Sequence, residues 1–476
     1  MSKWALVKST GREKIEVFHP RGGVRGIAGW TGKHAGILSL ILMLAVFALP
    51  AGARTRPHYG GALHVETEGE AWQANGLARS LVLDGLTERD AKGALEPALA
   101  VEWSQENTGH RWEFKLRPGV HFQDGNPLTA AAVAAALDAV CGAKCPWAAV
   151  HAVGSSLVFL GDGPMPNLPE LLANDAYRIA ESGAAGAPVG TGPFQFSAAQ
   201  SGVVLLTAND SCWAGRPFVD TVEIREHRAV RDQWLDLSVG RADVVEVPAE
   251  QMRQAQQQRL NLLSAPAASL LLLQVSDAGA LANPALRGAL ALTVDRTVLS
   301  NVIYQRQGET TASLLPSATT GYSFLFPVER DLARAQELRG GQTPGPLILA
   351  TESGGAMLLA AQRLALNLRE AGFNVQAGMA GGGLRADLTL RRIPFEDGKS
   401  AAALESVLRA LGSSAAVNET APVGVYRAEN EFLQKRTVIP LLYLPRSWAL
   451  GSRVRGMRLG VDGLPQLANA SLEDAP

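Results

Sequence analysis

A few short clusters hold the side chains of this chain with chemistry to offer. Arg391-Arg392 sets two guanidinium groups side by side, suited to receiving a carboxylate or a phosphate. On a strand, neighbouring side chains face opposite ways, so at most one of the two points into any given space. Glu396-Asp397 follows, a pair of carboxylates that either meets a cation or charges the N-terminus of the helix expected over Ala401–Leu411. Cys141 and Cys145, four apart before Pro146, can close a small disulfide loop or rest as ordinary buried thiols, which leaves Cys212 over. Catalytic patterns are missing. There is no Gly-x-Ser-x-Gly elbow, no His-Glu-x-x-His and no phosphate loop ending in Gly-Lys-Ser/Thr. His58, His64, His110, His121, His151 and His227 are scattered singly, and neither His nor further Cys stands at ligand spacing beside the cysteine pair. An enzyme, a metal site and a bound cofactor are therefore not expected.

At 476 residues the chain is too long for one ordinary core. Its 47 % apolar and 19 % charged residues make a globular composition. The charge is unevenly spread. Lys3, Lys8, Arg12, Lys14, Arg21, Arg25 and Lys33 face only Glu13 and Glu16 in residues 1–53, while the whole chain is at −1. The body is thus mildly acidic, with no electrostatic reason to meet nucleic acid. Behind the cations, Ala35 to Ala53 is uncharged and ends Pro50-Ala51-Gly52-Ala53, which fits the small-residue cleavage site of a secretory signal. A retained membrane anchor is the alternative for residues 35–53.

The elements that would position these groups can be read from periodicity. In Trp112–Arg117 the apolar Trp112, Phe114 and Leu116 alternate with charges, as on a strand with one buried face. Pro118-Gly119 turns the chain, Val120 and Phe122 resume the alternation as a second strand, Asp124-Gly125 turns it again, and Thr129 caps an alanine-rich helix. Gly61–Glu66 reads as an opening strand, with Glu68 and Trp72 in the loop after it. Gly190-Thr-Gly-Pro-Phe194 has glycines for close backbone approach or positive φ, but no helix behind it to cradle a phosphate. Leu286, Leu290 and Val294 fall at helical spacing, with Arg287, Asp295 and Arg296 as ion pairs and end caps. Pro346–Thr351, Phe373–Gln376 and Ala386–Arg391 read as strands. Between the first two, Met357–Glu370 is an amphipathic helix counting Leu359, Leu366 and Leu368 among its apolar positions. That is a βαβ unit and implies parallel strands.

As whole strings, Pro97–Ala130, Gly190–Phe194, Asn209–Pro217 and Asn283–Arg296 closely resemble the signature segments of the family 5 extracellular solute-binding proteins. These are the oligopeptide, dipeptide and nickel receptors of ABC importers. The resemblance covers most of residues 60–460 and is carried by scaffold segments without ligand chemistry. It implies an α/β, periplasmic binding protein type II-like fold: two α/β lobes with a cleft plus an additional small α+β domain. The implied plan is 1–53 signal peptide or anchor, 54–93 first part of lobe I and 94–185 the small domain. After these come 186–268 as the second part of lobe I, 269–435 as a shortened lobe II, and 436–476 as the return to lobe I with the tail.

The family function would be capture of a short peptide or similar small solute and delivery to ABC transporter permease subunits, by a monomer in the periplasm. Candidate ligand contacts are then Glu68 and Trp72 in lobe I, and Arg391, Phe395, Glu396 and Asp397 in lobe II. Relatives carry a tryptophan-bearing strand before the lobe II acid. Leu388–Asp397 lacks that tryptophan, so a degenerate receptor-like sensor or protein-interaction module is the alternative.

Overall fold

The computed structural model describes residues 58–72, 76–90, 93–141, 145–183, 187–322, 328–342, 344–381, 385–395, 399–413, 417 and 420–473. The apolar run 35–53, Glu396, Asp397 and the side chain of Cys141 lie outside the described residues. Among the described residues no helix is long and apolar enough to cross a membrane.

The chain opens with β1 (Ala62–Glu66). A small domain follows, in which β2 (Ala100–Gln105), β3 (Arg111–Leu116), α1 (Ala130–Cys141), β4 (Ala149–Val153) and β5 (Ser156–Leu160) surround one core. Its sheet is antiparallel in the order β2-β3-β5-β4. The alternation anticipated in Trp112–Leu116 is present, with Trp112, Phe114 and Leu116 buried. Phe114 meets Phe159 edge-on at 5.3 Å, and Trp147 meets Phe159 at 5.1 Å. Thr129 caps α1, its hydroxyl accepting from the Ala132 amide at 3.1 Å. Val120–Phe122, however, makes only an isolated bridge, His121 to Pro127, because two turns in quick succession leave no length for a ladder.

β6 (Phe194–Gln200), β7 (Val203–Ala208), β8 (Thr221–Arg225) and β9 (Val244–Val247) come next, then β10 (Asn261–Val275), α2 (Pro284–Thr293), β11 (Leu347–Thr351), α3 (Gly355–Glu370), β12 (Val375–Met379), β13 (Leu388–Pro394), α4 (Ser400–Ala410) and β14 (Val438–Leu450). All ten strands from these runs and β1 join one sheet, in the order β6-β7-β8-β1-β9-β14-β10-β13-β11-β12. The anticipated βαβ unit is there: β11 pairs parallel with both β12 and β13. Two cores lie in the β13–β12 half. Leu271 and Leu273 of β10 enter one with Leu349, Leu364, Leu368 and Leu390. Leu270 and Leu272 enter the other with Ile393, Leu404, Leu408 and Tyr443. A strand covered on both faces needs an unbroken apolar run, and Leu270–Leu273 provides it. A third core, with Leu63, Val65, Phe194, Val222, Ile224 and Trp448, serves the β6–β9 half.

β10 and β14 are long enough to run through both halves, and their pairing breaks midway. Ala265 pairs with Arg446, but the next pair is Ser269 with Leu444, so Pro266-Ala267-Ala268 stands opposite Pro445 alone. Neither proline has an N–H for the ladder, so the bulge falls where the sequence removed donors.

Two expectations are corrected. Leu359 and Leu366 of α3 are 54 % and 47 % exposed, whereas Leu368 is buried beside Ala360, Ala361, Leu364 and Ala365. Residues nine apart at 3.6 per turn fall on opposite sides, so Leu359 and Leu368 cannot share a face. Arg287 and Arg296 are not in ion pairs among the described residues. Arg287 donates to the carbonyls of Leu281, Ala282 and Lys435, and Arg296 to those of Val328 and Pro440. Asp295 does cap, accepting from the Val298 amide at 2.9 Å.

Candidate functional site

The bulge and the C-terminal ends of β1, β9 and β13 meet at one seam, the place where open α/β sheets hold ligands. From the β1 side, the Thr67 hydroxyl donates to Glu246 Oε2 at 3.0 Å, and Gly69 N donates to the Thr67 hydroxyl at 3.2 Å, which shapes the loop that carries Glu68. Glu246 Oε1 lies 3.8 Å from Arg446 Nε, and the Arg446 guanidinium lies over the Trp448 ring at 5.8 Å. Glu250 stands just beyond β9. From the other side come Arg392 on β13 and Tyr304, which is 2 % exposed and donates to Met357 Sδ at 3.8 Å.

The seam's electrostatics tie these groups together. Desolvation raises the Glu68 carboxyl above the usual carboxylate value, and the nearby charges of Glu246 and Glu250 add to it. Desolvation also raises Glu250, opposed by its own backbone amide and by Arg392, and reinforced by Glu246. Burial raises the Tyr304 phenol, against Arg392 and with Glu250. Arg392 is pulled down, first by desolvation, then by the like charge of Arg446, against Glu246, Tyr304 and Glu250. Glu68 and Arg392 are both exposed to water by surface area, yet both lose hydration.

Arg391 faces away from Arg392, as strand alternation requires. Its Nη1 donates to Gln274 Oε1 and the Ala410 carbonyl, both at 3.1 Å, and its Nε lies 3.6 Å from Glu352. It therefore serves the C-terminus of α4. Trp72 is half-buried and leans edge-on against Phe196 at 5.6 Å. Phe395 is 6 % exposed and packs on Tyr443 at 5.9 Å, within the core that holds Ile393 and Leu404. Of the described candidates, only Glu68 thus joins the charged seam. Sequence offered little signal for Glu246, Glu250, Ser269, Tyr304 and Arg446. The one available clue was a proline beside a charge inside an apolar run, Pro445-Arg446.

The signature segments do different work. The Gln123 amide nitrogen donates to the carbonyls of Val82, Gly192 and Phe194, and its oxygen accepts from Gly190 N at 3.1 Å. Asp84 Oδ2 accepts from the Thr191 hydroxyl and from Trp213 Nε1, both at 2.8 Å. A Cβ on Gly190 would come 2.1 Å from the Val82 carbonyl, so close approach is why glycine stands there. Cys145 is disulfide-bonded, and Cys212 is free and buried.

A separate cavity of about 500 Å³ is lined by Asp84, Glu88, Arg89, Arg178, Trp213 and Asp462 among others, and shares no residue with the seam. There burial, then Asp84, push the Glu88 carboxyl up to about 7, against Arg178. Arg89, Arg178, Arg216 and Arg458 also line it. Among the described residues no group of three His, Cys, Asp or Glu is placed to hold a metal ion.

The model of the bacterial extracellular solute-binding proteins, family 5 (middle) matches residues 94–378. The chain belongs to that family. Among curated relatives, it is 34 % identical over 139 residues to the peptide transport periplasmic protein SapA of Salmonella typhimurium, covering 28 % of this chain and 25 % of that one. It is 26 % identical over 395 residues to the probable di/tripeptide-binding protein 5 of Pseudomonas aeruginosa, covering 70 % and 74 %. The chain thus spans about a quarter of the length of SapA in the first case, and about three quarters of its relative in the second. Its fold is that of the oligopeptide-binding protein AppA of Bacillus subtilis, solved with a nonapeptide. The TM-score is 0.73 at 17 % identity, over 88 % of this chain and all of that one.

Proposed function

We propose that this protein is the solute-capturing component of an ABC importer, closing over a short peptide or similar small solute at the seam and presenting it to a membrane permease. The observation that carries this reading is the seam itself. Two long strands pass from one half of the sheet to the other and lose their pairing at Pro266–Ala268 and Pro445, with ionisable groups from both sides converging beside the break. A bulged, proline-interrupted crossing is a place where two lobes can turn about each other. The names of SapA, of di/tripeptide-binding protein 5 and of AppA all speak of peptides, which favours that solute class.

In this reading residues 54–93, 186–268 and 436–476 make lobe I, 269–435 lobe II, and 94–185 an added domain. The protein works as a monomer exported by cleavage after Ala53. Trp72, Glu396 and Asp397 stand as further ligand contacts beside Glu68.

A solute that binds the folded protein stabilises it by mass action, by about 2.7 kcal/mol at a hundred times Kd, and so raises its melting temperature. Thermal shift against di-, tri- and longer peptides, with native mass spectrometry of gently purified protein, is the test. Melting that no peptide moves, together with an empty molecule on purification, overturns the proposal. Mass measurement of the exported protein checks the start at Arg54.

A further inference from the structure

We propose that the β13–β12 half of the molecule carries an anion site apart from the seam, where Arg296 and Arg436 hold a small monovalent anion such as chloride in a cavity of about 110 Å³. The site does not depend on what the seam binds.

The cavity lies where α2, the helix Leu332–Arg339, the end of the helix Pro422–Gln434 and the start of β14 come together. Leu292, Leu338, Leu433 and Ile439 give it apolar walls, and among the described residues that line it the charged ones are Arg296 and Arg436. Arg296 is 4 % exposed. Its Nε donates to the Pro440 carbonyl at 2.9 Å and its Nη1 to the Val328 carbonyl at 3.2 Å, both neutral acceptors. Pro440 is itself part of the wall, so the guanidinium is fixed at the cavity. Its Nη2 donors have no acceptor among the described residues, and they are the edge left for an anion.

Arg436 brings the second charge. It is half-buried and follows the last turn of the helix Pro422–Gln434 with φ at 55°. Glycine is the residue that most often takes this left-handed position after a helix. Here the position carries a cation to the same apolar space. The two like charges oppose each other: desolvation first, then Arg436, pull Arg296 down to about 10, against Glu329. Burial likewise pulls Arg436 down. Glu329 makes no ion pair with Arg296 among the described residues. A buried guanidinium that lacks a counter-ion is costly, and an anion between the two would offset both the lost hydration and the repulsion. Size then limits the guest. A water takes about 10–15 Å³ of such space, so the cavity suits a halide, nitrate or formate with a few waters and excludes a peptide.

Melting curves in sodium chloride, nitrate, formate and gluconate at one ionic strength test this. The proteins are the wild type, Arg296→Gln, Arg436→Gln and Gly288→Leu, with exposed Lys115→Gln on β3 as a charge-deletion control. Gly288 stands on α2 at the cavity, and a Cβ there meets Leu338 at an ordinary 3.7 Å, so a longer side chain narrows the space while both arginines stay. The wild type should melt about 1–2 °C higher in saturating chloride than in gluconate. Arg296→Gln and Gly288→Leu abolish that difference, Arg436→Gln reduces it, and Lys115→Gln leaves it whole. Crystals of the wild type soaked in sodium bromide should show an anomalous peak between the two guanidinium groups, which decides the matter should Arg296→Gln fail to fold. A larger shift in nitrate or formate supports the site and names a planar anion as the better fit. Equal melting in all four salts overturns the proposal. So does a chloride shift that survives in Gly288→Leu, or bromide found at the surface only. Each of these failures leaves peptide capture at the seam intact.

Discussion

The small domain and the seam are built on opposite terms. The domain from β2 to β5 is held by aromatic rings in van der Waals contact, Trp112, Phe114, Trp147, Phe159 and Tyr177, with the Trp112 N–H satisfied by the Met165 carbonyl at 2.8 Å. The seam gathers ionisable groups from distant parts of the chain. They carry shifted pKa values. Packing makes the first region rigid and identifiable from its sequence, whereas the second exists only once the halves of the sheet are joined. The signature residues Gln123, Gly190, Thr191 and Trp213 belong to the first kind of region, which is why they mark a family without naming a cargo.

The largest expected difference is in stability. Phe114→Ala, at a fully buried ring, should cost about 3–5 kcal/mol in denaturant unfolding. Peptide affinity of the molecules that remain folded should be unchanged. A comparable loss of affinity would show that the domain and the seam are mechanically one. Within α3, Leu364→Ala should cost about 2–5 kcal/mol, while Leu359→Ser on the exposed side stays within about 0.5 kcal/mol. Equal costs would mean that the helix is turned.

At the seam, Arg392→Gln removes two hydrogen bonds beside solvent and should cost only about 1 kcal/mol of stability. A cost several times larger would make Arg392 a strut of the fold.

The smallest effects are in pH. A carboxyl whose folded pKa lies above its unfolded one favours folding as the acid, and that contribution is lost as pH rises through the folded value. Glu250 and Glu88 both fit this case. Glu250→Gln and Glu88→Gln should therefore match the wild type near pH 4 and melt higher at pH 8. For Glu88 the gain should develop between the usual 4.5 and about 7. It should be at most about 1 kcal/mol, since solvent screens an exposed group. Melting curves across pH check this, and a gain that is largest at low pH would reverse the sign.

Local order was legible in the chain by itself. Alternation in Trp112–Leu116, the Thr129 cap, the Gly190 close approach and the parallel βαβ unit each depend on neighbours within a few residues or on a fixed period. Most of residues 60–460 therefore declared their family through scaffold alone. Sequence did not reveal that Asn261–Val275 and Val438–Leu450 are two unbroken strands through both halves, because their apolar runs carry no boundary signal and the prolines within them suggest ends. Nor could it choose between Arg391 and Arg392. Alternation says only that they part company, and which face meets the seam depends on register with β10 and on what packs beyond it. Only the tertiary structure made that choice, by tying one arginine to the end of a helix and strapping the other over a bulge, onto Ser269 and Pro445.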